Sequence, residues 1–180
     1  MMRDDIERIF FSEEQILARV KELGAQITKD YEGKNPMFIG VLKGSFVFMA
    51  DLIKNIDTYC DMDFMAVSSY GSGTSTTGAV KITKDLTYDI QGRNIIIVED
   101  ILDSGVTLSY LVNYLSMRKP ASIAICTLLD KPSRRKTSVK ADYVGMECPD
   151  AFIVGYGLDY AERYRNLPYI GVLKEEIYTK

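Results

Sequence analysis

Histidine is absent from this chain of 180 residues. Its absence excludes Ser-His-Asp and Cys-His catalysis, and it removes the commonest protein ligand of zinc. A general base, if the chain has one, must then be a carboxylate, a lysine, a tyrosine or a cysteine. A bound metal is expected to be a hard cation that oxygen atoms hold, such as Mg²⁺.

Cysteine is scarce, and long apolar runs and a basic excess are missing. Cys60, Cys126 and Cys148 are odd in number, widely spaced and not arranged as Cys-x-x-Cys, so we expect neither a disulfide framework nor a zinc site. No apolar run is long enough to span a bilayer, and the first residues lack the apolar core of a signal peptide. The net charge of −3 gives no support to a nucleic-acid surface. We therefore expect a cytoplasmic protein with no membrane and no nucleic-acid partner.

Length and composition indicate a single domain over residues 1–180. Hydrophobic residues make up 47% of the chain and charged residues 26%, which is ordinary for a globular protein. A chain of this length buries about 70% of the surface that it exposes when unfolded.

Residues 94–108 carry the clearest pattern in the chain. The four apolar residues 95–98 predict a strand that is buried on both faces, as in a parallel sheet. Glu99, Asp100 and Asp103 follow at once, and the apolar period of residues 108–115 predicts a helix. Carboxylates and hydroxyl residues thus stand at the carboxyl end of a strand, where open α/β sheets bind their ligands.

The turn between this strand and this helix suits a phosphorylated sugar. Gly105 lets the backbone turn tightly, Ser104 and Thr107 add hydroxyl groups, and the N–H groups at a helix start lack intrahelical acceptors. Glu99 and Asp100 suit sugar hydroxyls, a divalent cation or both. The alternative is an ordinary turn with a Ser or Asp N-cap, although burying three carboxylates for no purpose is costly. The turn matches neither a Walker loop nor Gly-x-Gly-x-x-Gly.

Residues 37–56 predict a second strand, loop and helix. The apolar segment 37–42 predicts a buried strand, and residues 46–56 predict a buried helix. Lys43 and Gly44 lie between them and should reach the same edge of the sheet as the acidic residues. A lysine beside a glycine at a helix start suits pyrophosphate, and an exposed lysine in an ordinary loop is an equal alternative on these residues alone.

The remaining pattern predicts an α/β domain with a largely parallel sheet. The strands are expected near 37–42, 94–98, 121–129, 142–146 and 152–156, and a further strand at 61–67. The helices are expected near 12–31, 45–56 and 106–118. A capping box, Ser12 to Gln15, marks the start of the first helix.

Two further segments have open interpretations. Residues 68–78 are rich in Gly, Ser and Thr and predict either a plain hairpin connection or a mobile lid. Lys131 directly follows a predicted strand and should lie at the carboxyl ends of the strands, where the sheet binds its ligands. Arg134, Arg135 and Lys136 are interpreted as a solvated face.

Residues 98–107, Val-Glu-Asp-Ile-Leu-Asp-Ser-Gly-Val-Thr, resemble the phosphoribosyl-pyrophosphate motif of the type I phosphoribosyltransferases. Residues 42–45 resemble the pyrophosphate loop of the hypoxanthine-guanine members of that family, and residues 129–131 and 149–160 resemble their purine-binding segments. The resemblance covers roughly residues 5–178. It implies the type I phosphoribosyltransferase fold, with a small hood formed largely by residues from about 143 to 180 and a flexible lid loop at about 68–79.

The resemblance implies a role for each motif. The ribose and its 5′-phosphate would be bound by Glu99, Asp100, Asp103, Ser104, Gly105, Val106 and Thr107. Pyrophosphate would be bound by Lys43, Gly44 and Arg165. The purine would be bound by Lys131, Phe152, Ile153 and Asp159. Mg²⁺ would be bound by Glu99, Asp100 and Asp159. The lid would include Ser69 and Tyr70.

The resemblance also implies how the base is recognised. Lys131 would donate to the 6-oxo group of the purine and so select hypoxanthine or guanine over adenine. Phe152 would stack on the base, and the backbone at Ile153 would recognise the edge of its pyrimidine ring. Asp103 would act as the catalytic base toward N7. In that family the peptide bond matching Lys43-Gly44 is cis in some states.

The implied activity is purine salvage. The 5-phosphoribosyl group of 5-phosphoribosyl 1-pyrophosphate would pass to N9 of hypoxanthine or guanine, with Mg²⁺ as cofactor and a homodimer or homotetramer as the assembly. Two alternatives stay open: transfer to xanthine or a pyrimidine, and a regulatory RNA-binding protein on the same fold. The cluster at residues 134–136 is the only local support for the second alternative, and the net charge of −3 weakens it.

Overall fold

A computed structural model describes residues 1–69, 80–148 and 150–179. The strands in these residues are β1 (Ile6–Phe11), β2 (Met37–Leu42), β3 (Asp61–Ser69), β4 (Val80–Lys84), β5 (Asn94–Leu102), β6 (Ser122–Asp130), β7 (Tyr143–Glu147), β8 (Ile153–Val154) and β9 (Ile170–Leu173). The α-helices are α1 (Glu13–Asp30), α2 (Phe46–Ile53), α3 (Val106–Ser116) and α4 (Glu175–Tyr178). Short 3₁₀ helices cover Met2–Asp5 and Pro132–Arg134.

The large sheet contains six strands in the order β4-β3-β2-β5-β6-β7. Its neighbouring strands are parallel, apart from the antiparallel pair β3 and β4. Helices α1 and α2 contribute to the core on one face of this sheet, and α3 contributes to the core on the other. The prediction of an α/β domain with a mainly parallel sheet is confirmed.

Strand β5 lies inside the sheet because its apolar residues can be buried on both faces. Ile95, Ile96, Ile97 and Val98 are all fully buried. Successive side chains of a strand point to opposite faces. Ile96 and Val98 therefore pack with the buried residues of α1 and α2, whereas Ile95 and Ile97 pack with those of α3. A parallel sheet covered by helices on both faces requires this kind of strand.

The strand order determines where the large sheet can bind a ligand. Strands β2 and β5 are neighbours, but the chain continues from β2 to β3 on one side and from β5 to β6 on the other. Such a reversal leaves a crevice at the carboxyl ends of the two strands. The loop after β2, with Lys43 and Gly44, and the loop after β5, residues 103–105, therefore meet at this crevice.

A small antiparallel sheet has the order β1-β9-β8, and this sheet, with the connection from β8 to β9, is called the hood below. The hydrophobic pattern does not predict β1, in which no residue is fully buried. The segment just before β1 is tied to the hood because the Lys174 N–H donates to the Asp5 carbonyl at 3.0 Å and the Tyr164 hydroxyl donates to the Asp5 carboxylate at 2.8 Å. The strand predicted near 152–156 is the two-residue β8 of this small sheet, whereas β7 belongs to the large sheet.

The predicted helices form, with one change in length. The Gln15 N–H donates to Ser12 Oγ at 3.3 Å, and the Ser12 N–H donates to Gln15 Oε1 at 2.9 Å, so the capping box is present. Helix α2 ends at Ile53 instead of near residue 56. Within the described ranges, no helix is both long enough and apolar enough to cross a bilayer.

Asp63 is a buried acid that ties the connection between β4 and β5 to the sheet. Its carboxylate accepts the N–H groups of Phe64 at 2.7 Å, Thr87 at 2.6 Å and Tyr88 at 3.3 Å, and the Lys84 ammonium lies 3.5 Å away. Burial raises the pKa of Asp63, but these donors outweigh burial and hold the pKa below its usual value.

We expect Asp63→Asn to lower the free energy of unfolding by about 1 to 3 kcal/mol at pH 7, because a neutral amide accepts these N–H groups less strongly. A lowered pKa stabilises the fold above the ordinary pKa of aspartate, and this contribution is lost as the pH falls through the lowered value. Urea denaturation at pH 7 and near pH 3, with the exposed Asp57→Asn as control, measures both effects. A deficit that persists in acid would contradict the role of the carboxylate.

Candidate active site

Two carboxylates lie side by side at the carboxyl end of β5. Burial, together with the neighbouring Asp100, raises the pKa of Glu99 well above its usual value. Burial also raises the pKa of Asp100 to about 6, although the Ile101 N–H donates to its Oδ1 at 2.7 Å and Arg165 favours the charged form. Glu99 Oε2 is buried and has no hydrogen-bond partner among the described residues. This strand end therefore holds acidic oxygens that a ligand could satisfy.

The loop after β2 contacts the same carboxylate. A Cβ atom at Gly44 would overlap the carboxylate of Asp100, so only glycine allows this approach. The structure has a cis peptide bond between Leu42 and Lys43. The cis bond therefore lies one position before the Lys43-Gly44 bond at which the family resemblance placed it.

The turn after β5 has the backbone that the sequence suggested for an anion. Gly105 is the N-cap of α3 and has the left-handed φ of 78°, with no side-chain cap. Ser104 Oγ accepts the Val106 N–H at 3.3 Å. Thr107 is the second residue of α3, and the first N–H groups of that helix have no acceptor within the helix. The structure thus lacks the Ser or Asp N-cap of the ordinary-turn alternative.

Asp103 stands between this turn and the basic loop after β6. Its Oδ1 is buried with no hydrogen-bond partner in the described part of the chain, and its Oδ2 lies 4.0 Å from Arg134 Nη1. The carboxylate is therefore held loosely by protein groups. One of its oxygens is available to a ligand atom.

Arg135 is not the solvated residue that the run of cations suggested. Its side chain is only 16% exposed and pairs with Asp130. Its guanidinium donates to three carbonyl groups, those of Asp103 at 3.0 Å, Val139 at 2.8 Å and Leu102 at 3.3 Å. Arg135 thus fastens the loop after β6 to the loop after β5. These partners are three backbone carbonyl groups and the side chain of Asp130, and no local sequence pattern indicates them.

Two cations on the other side of the crevice are paired with acids. Lys43 Nζ lies 2.9 Å from Glu162 Oε2. Arg165 Nη1 donates to the Gly157 carbonyl at 2.8 Å, and its Nη2 lies 2.9 Å from Asp159 Oδ1 and 3.4 Å from Glu162 Oε2. Its Nε is buried and lacks a partner among the described residues. The residue pattern pointed to Lys43, and the family resemblance pointed to Lys43, Arg165 and Asp159, but neither pointed to Glu162.

A third cation lies below the hood. Lys131 is 5% exposed, and its ammonium donates to the Ala151 carbonyl at 3.1 Å and pairs with Asp150 Oδ1 at 3.0 Å. The same oxygen pairs with Arg134 Nε at 2.8 Å. The sequence pattern did not indicate Asp150, which holds Lys131 at the edge of the hood.

Phe152 and Ile153 form one edge of the hood. The ring of Phe152 is 39% exposed, stacks on Tyr178 at 4.5 Å and meets the edge of Tyr160 at 5.5 Å. Ile153 lies in β8, the edge strand of the small sheet, and pairs with Val172 on one side. The other side of this strand has backbone groups that the sheet does not use.

Part of the predicted lid lies outside the described residues. Ser69 ends β3, whereas Tyr70 and the rest of the segment to residue 79 are not described.

The acidic residues fit a hard divalent cation. Glu99, Asp100 and Asp159 offer oxygen atoms only, and Glu99 Oε2 is buried with no protein donor in the described ranges. The described residues contain no ready group of three or more metal-binding side chains. Mg²⁺ commonly binds through one or two carboxylates together with substrate phosphates. The donor set therefore suits an ion that arrives with a phosphorylated substrate.

Comparisons with known proteins identify the family of this chain. The family model of the phosphoribosyl transferase domain matches residues 10–161. The hypoxanthine-guanine phosphoribosyltransferase of Bacillus subtilis (strain 168) is 64% identical over 178 residues, which is 99% of each chain. That of Streptococcus thermophilus (strain CNRZ 1066) is 57% identical over the whole of both chains. A crystal structure of a hypoxanthine phosphoribosyltransferase from Staphylococcus aureus superposes with a TM-score of 0.96 at 54% identity, covering 99% of this chain and 97% of the other.

The chain belongs to the phosphoribosyltransferase family, has the fold of that family and is a transferase. Within that family it belongs with the bacterial hypoxanthine-guanine phosphoribosyltransferases, at this level of identity over the full chain.

We expect Asp100→Asn to raise the stability of the ligand-free protein at pH 7.5 by up to about 3 kcal/mol, because the amide is not charged. A raised pKa means that stability is intact below pH 3.8 and is lost as the pH rises through about 6. The gain should therefore disappear near pH 4. Thermal unfolding at both pH values, with Asp57→Asn as control, tests this; equal stability at pH 7.5 would show that burial does not disfavour the charged carboxylate.

Proposed function

We propose that this chain transfers the 5-phosphoribosyl group of 5-phosphoribosyl 1-pyrophosphate to N9 of hypoxanthine and guanine, giving IMP or GMP and pyrophosphate, as a step of purine salvage. The observation that carries the proposal is the meeting of three kinds of group at one crevice. Carboxylates and a turn that suits an anion follow β5, two cations lie across from them, and Lys131 and Phe152 lie at the hood. Neither a pyrimidine or xanthine specificity nor an RNA-binding function has support from the relatives.

The phosphoribosyl half of the substrate would lie on the loop after β5. Backbone and hydroxyl donors at residues 104–107 would bind the 5′-phosphate at the start of α3. Glu99 and Asp100 would accept hydrogen bonds from the ribose hydroxyls. Glu99, Asp100 and Asp159 would also hold Mg²⁺, which supplies positive charge next to the pyrophosphate when bound.

The pyrophosphate would lie between the loop after β2 and the hood. Lys43 is a mobile point charge, whereas the guanidinium of Arg165 is fixed by the Gly157 carbonyl at 2.8 Å. As the bond from C1′ to the pyrophosphate breaks, an oxocarbenium-like state forms, and these cations would stabilise the departing charge. Closure of the lid at residues 68–79, including Ser69 and Tyr70, would exclude water from the activated C1′ atom.

The base would lie between Lys131 and the hood edge. An ammonium group is a donor only, so it attracts the 6-oxo group of hypoxanthine and guanine and repels the amino group of adenine. Phe152 would stack on the base with the ring face that Tyr178 leaves open. The unpaired backbone side of β8 at Ile153 would bind the edge of the pyrimidine ring, and Asp159 would belong to the same binding site.

Asp103 would accept the proton at N7 of the purine as N9 attacks C1′. Its buried Oδ1 has no competing donor among the described residues. A homodimer or homotetramer stays a prediction from the resemblance, and a cytoplasmic location stays a prediction from the sequence.

We expect Asp103→Asn to lower kcat by about 10²- to 10⁴-fold, since an amide cannot accept the proton. The dissociation constant for phosphoribosyl pyrophosphate should stay close to that of the unchanged protein. Steady-state kinetics and calorimetric titration measure the two quantities. Full activity of the variant would remove Asp103 from the role of base without affecting the family.

We expect the unchanged protein to use hypoxanthine and guanine, but not adenine or uracil, in a spectrophotometric base panel with phosphoribosyl pyrophosphate and Mg²⁺. Lys131→Met should lower kcat/KM for both oxopurines by about 10²-fold or more, because the buried donor is lost. The exposed Lys136→Met is the matched control and should behave like the unchanged protein. Turnover of a pyrimidine in place of hypoxanthine would overturn the proposed function.

A further inference from the structure

Glu162 occupies the place between the two cations proposed for pyrophosphate. Its Oε2 lies 2.9 Å from Lys43 Nζ and 3.4 Å from Arg165 Nη2. Lys43 and Glu162 are 119 residues apart in sequence, so this contact comes from the fold and not from local spacing. One carboxylate oxygen thus bridges a cation of the loop after β2 and a cation of the hood.

The backbone holds this carboxylate in an unusual turn. Ala161 and Glu162 have left-handed φ values of 50° and 63°, and Tyr160 and Arg163 exchange backbone hydrogen bonds across them. Tight turns with two left-handed positions normally use glycine or asparagine, because other residues are strained there. The Glu162 N–H donates to Asp159 Oδ2 at 2.9 Å. The turn therefore directs an acidic side chain toward the cations at some conformational cost.

Stability does not explain this contact, since exposed ion pairs contribute little to the free energy of unfolding. The side chains of Lys43 and Glu162 are 66% and 65% exposed. Neither side chain is fixed by burial, so the pair can separate readily. A bound pyrophosphate group carries more negative charge than one carboxylate and would compete well for the same two cations.

We propose that Glu162 is an internal competitor of pyrophosphate, which occupies Lys43 and Arg165 while the site is empty and is displaced when the substrate binds. This inference rests on the proposed function and concerns the same site. Replacing one anion by another keeps the cations neutralised at each stage. Glu162 would therefore weaken the binding of both phosphoribosyl pyrophosphate and pyrophosphate, and its return to the cations would promote release of pyrophosphate as product.

The test compares Glu162→Gln with the unchanged protein. The amide keeps the size of the side chain but loses the charge, so magnesium pyrophosphate should bind more tightly, by about 3-fold or more. The inhibition constant of pyrophosphate against phosphoribosyl pyrophosphate should fall by a similar factor, while the KM for hypoxanthine stays unchanged. Calorimetric titration and product-inhibition kinetics give these values.

Glu22→Gln is the matched control, because Glu22 is also 65% exposed and pairs with an arginine, Arg19, away from the crevice. It should leave both constants unchanged. Glu162→Asp retains the charge on a shorter side chain, and its pyrophosphate affinity should lie between those of the glutamine variant and the unchanged protein. This second variant also serves if the glutamine variant fails to fold in a thermal unfolding scan.

Unchanged or weaker pyrophosphate binding in folded Glu162 variants would overturn the inference. Such a result would mean that Glu162 has no effect on pyrophosphate binding or strengthens it. Failure of the proposed function looks different. In that case the unchanged protein itself would not turn over hypoxanthine with phosphoribosyl pyrophosphate, whatever residue stands at position 162.

Discussion

The site depends on the way in which negative charge is held at the buried end of β5. Glu99 and Asp100 are adjacent carboxylates in a desolvated position, and burial raises the pKa of each. Ionised acids are costly there unless cations or donors compensate. Part of the compensation comes from Arg165 in the hood, and Gly44 is needed for the close approach of the loop after β2. The acidic strand end thus links the large sheet, the loop after β2 and the hood.

The cations of the crevice are likewise compensated, because each of them pairs with an acidic side chain. Lys43 pairs with Glu162 and Arg165 pairs with Asp159. Lys131 pairs with Asp150. Each of these cations is proposed to contact the substrates, so ligand binding exchanges protein carboxylates for substrate oxygens. This exchange leaves no unpaired charge in a partly buried site. It also means that an acid that touches no reacting atom can change the affinity of the site for an anion.

Features that depend on neighbours in sequence could be predicted. The apolar run of β5 requires burial on both faces, and the reciprocal hydrogen bonds of Ser12 and Gln15 mark the start of α1. Strand β1 could not be predicted, because it is short, only partly buried and paired with β9 from the other end of the chain. The role of Arg135 was misjudged for a related reason. Three of its acceptors are backbone carbonyl groups, two of them at the distant residues 102 and 103, and backbone acceptors leave no trace in residue type.

The sequence by itself determined the chemistry that the site can use. Without histidine, with carboxylates after a buried strand and with glycine at position 105, the chain points to oxygen ligands, an anion-binding turn and a carboxylate base. Only the tertiary structure decided which charges meet. Lys43 and Glu162 lie 119 residues apart, yet a distance of 2.9 Å separates their charged atoms. The reason is physical: strand and helix preferences act between near neighbours in the chain, whereas Coulomb interactions depend on distance in space, which the order of the strands sets.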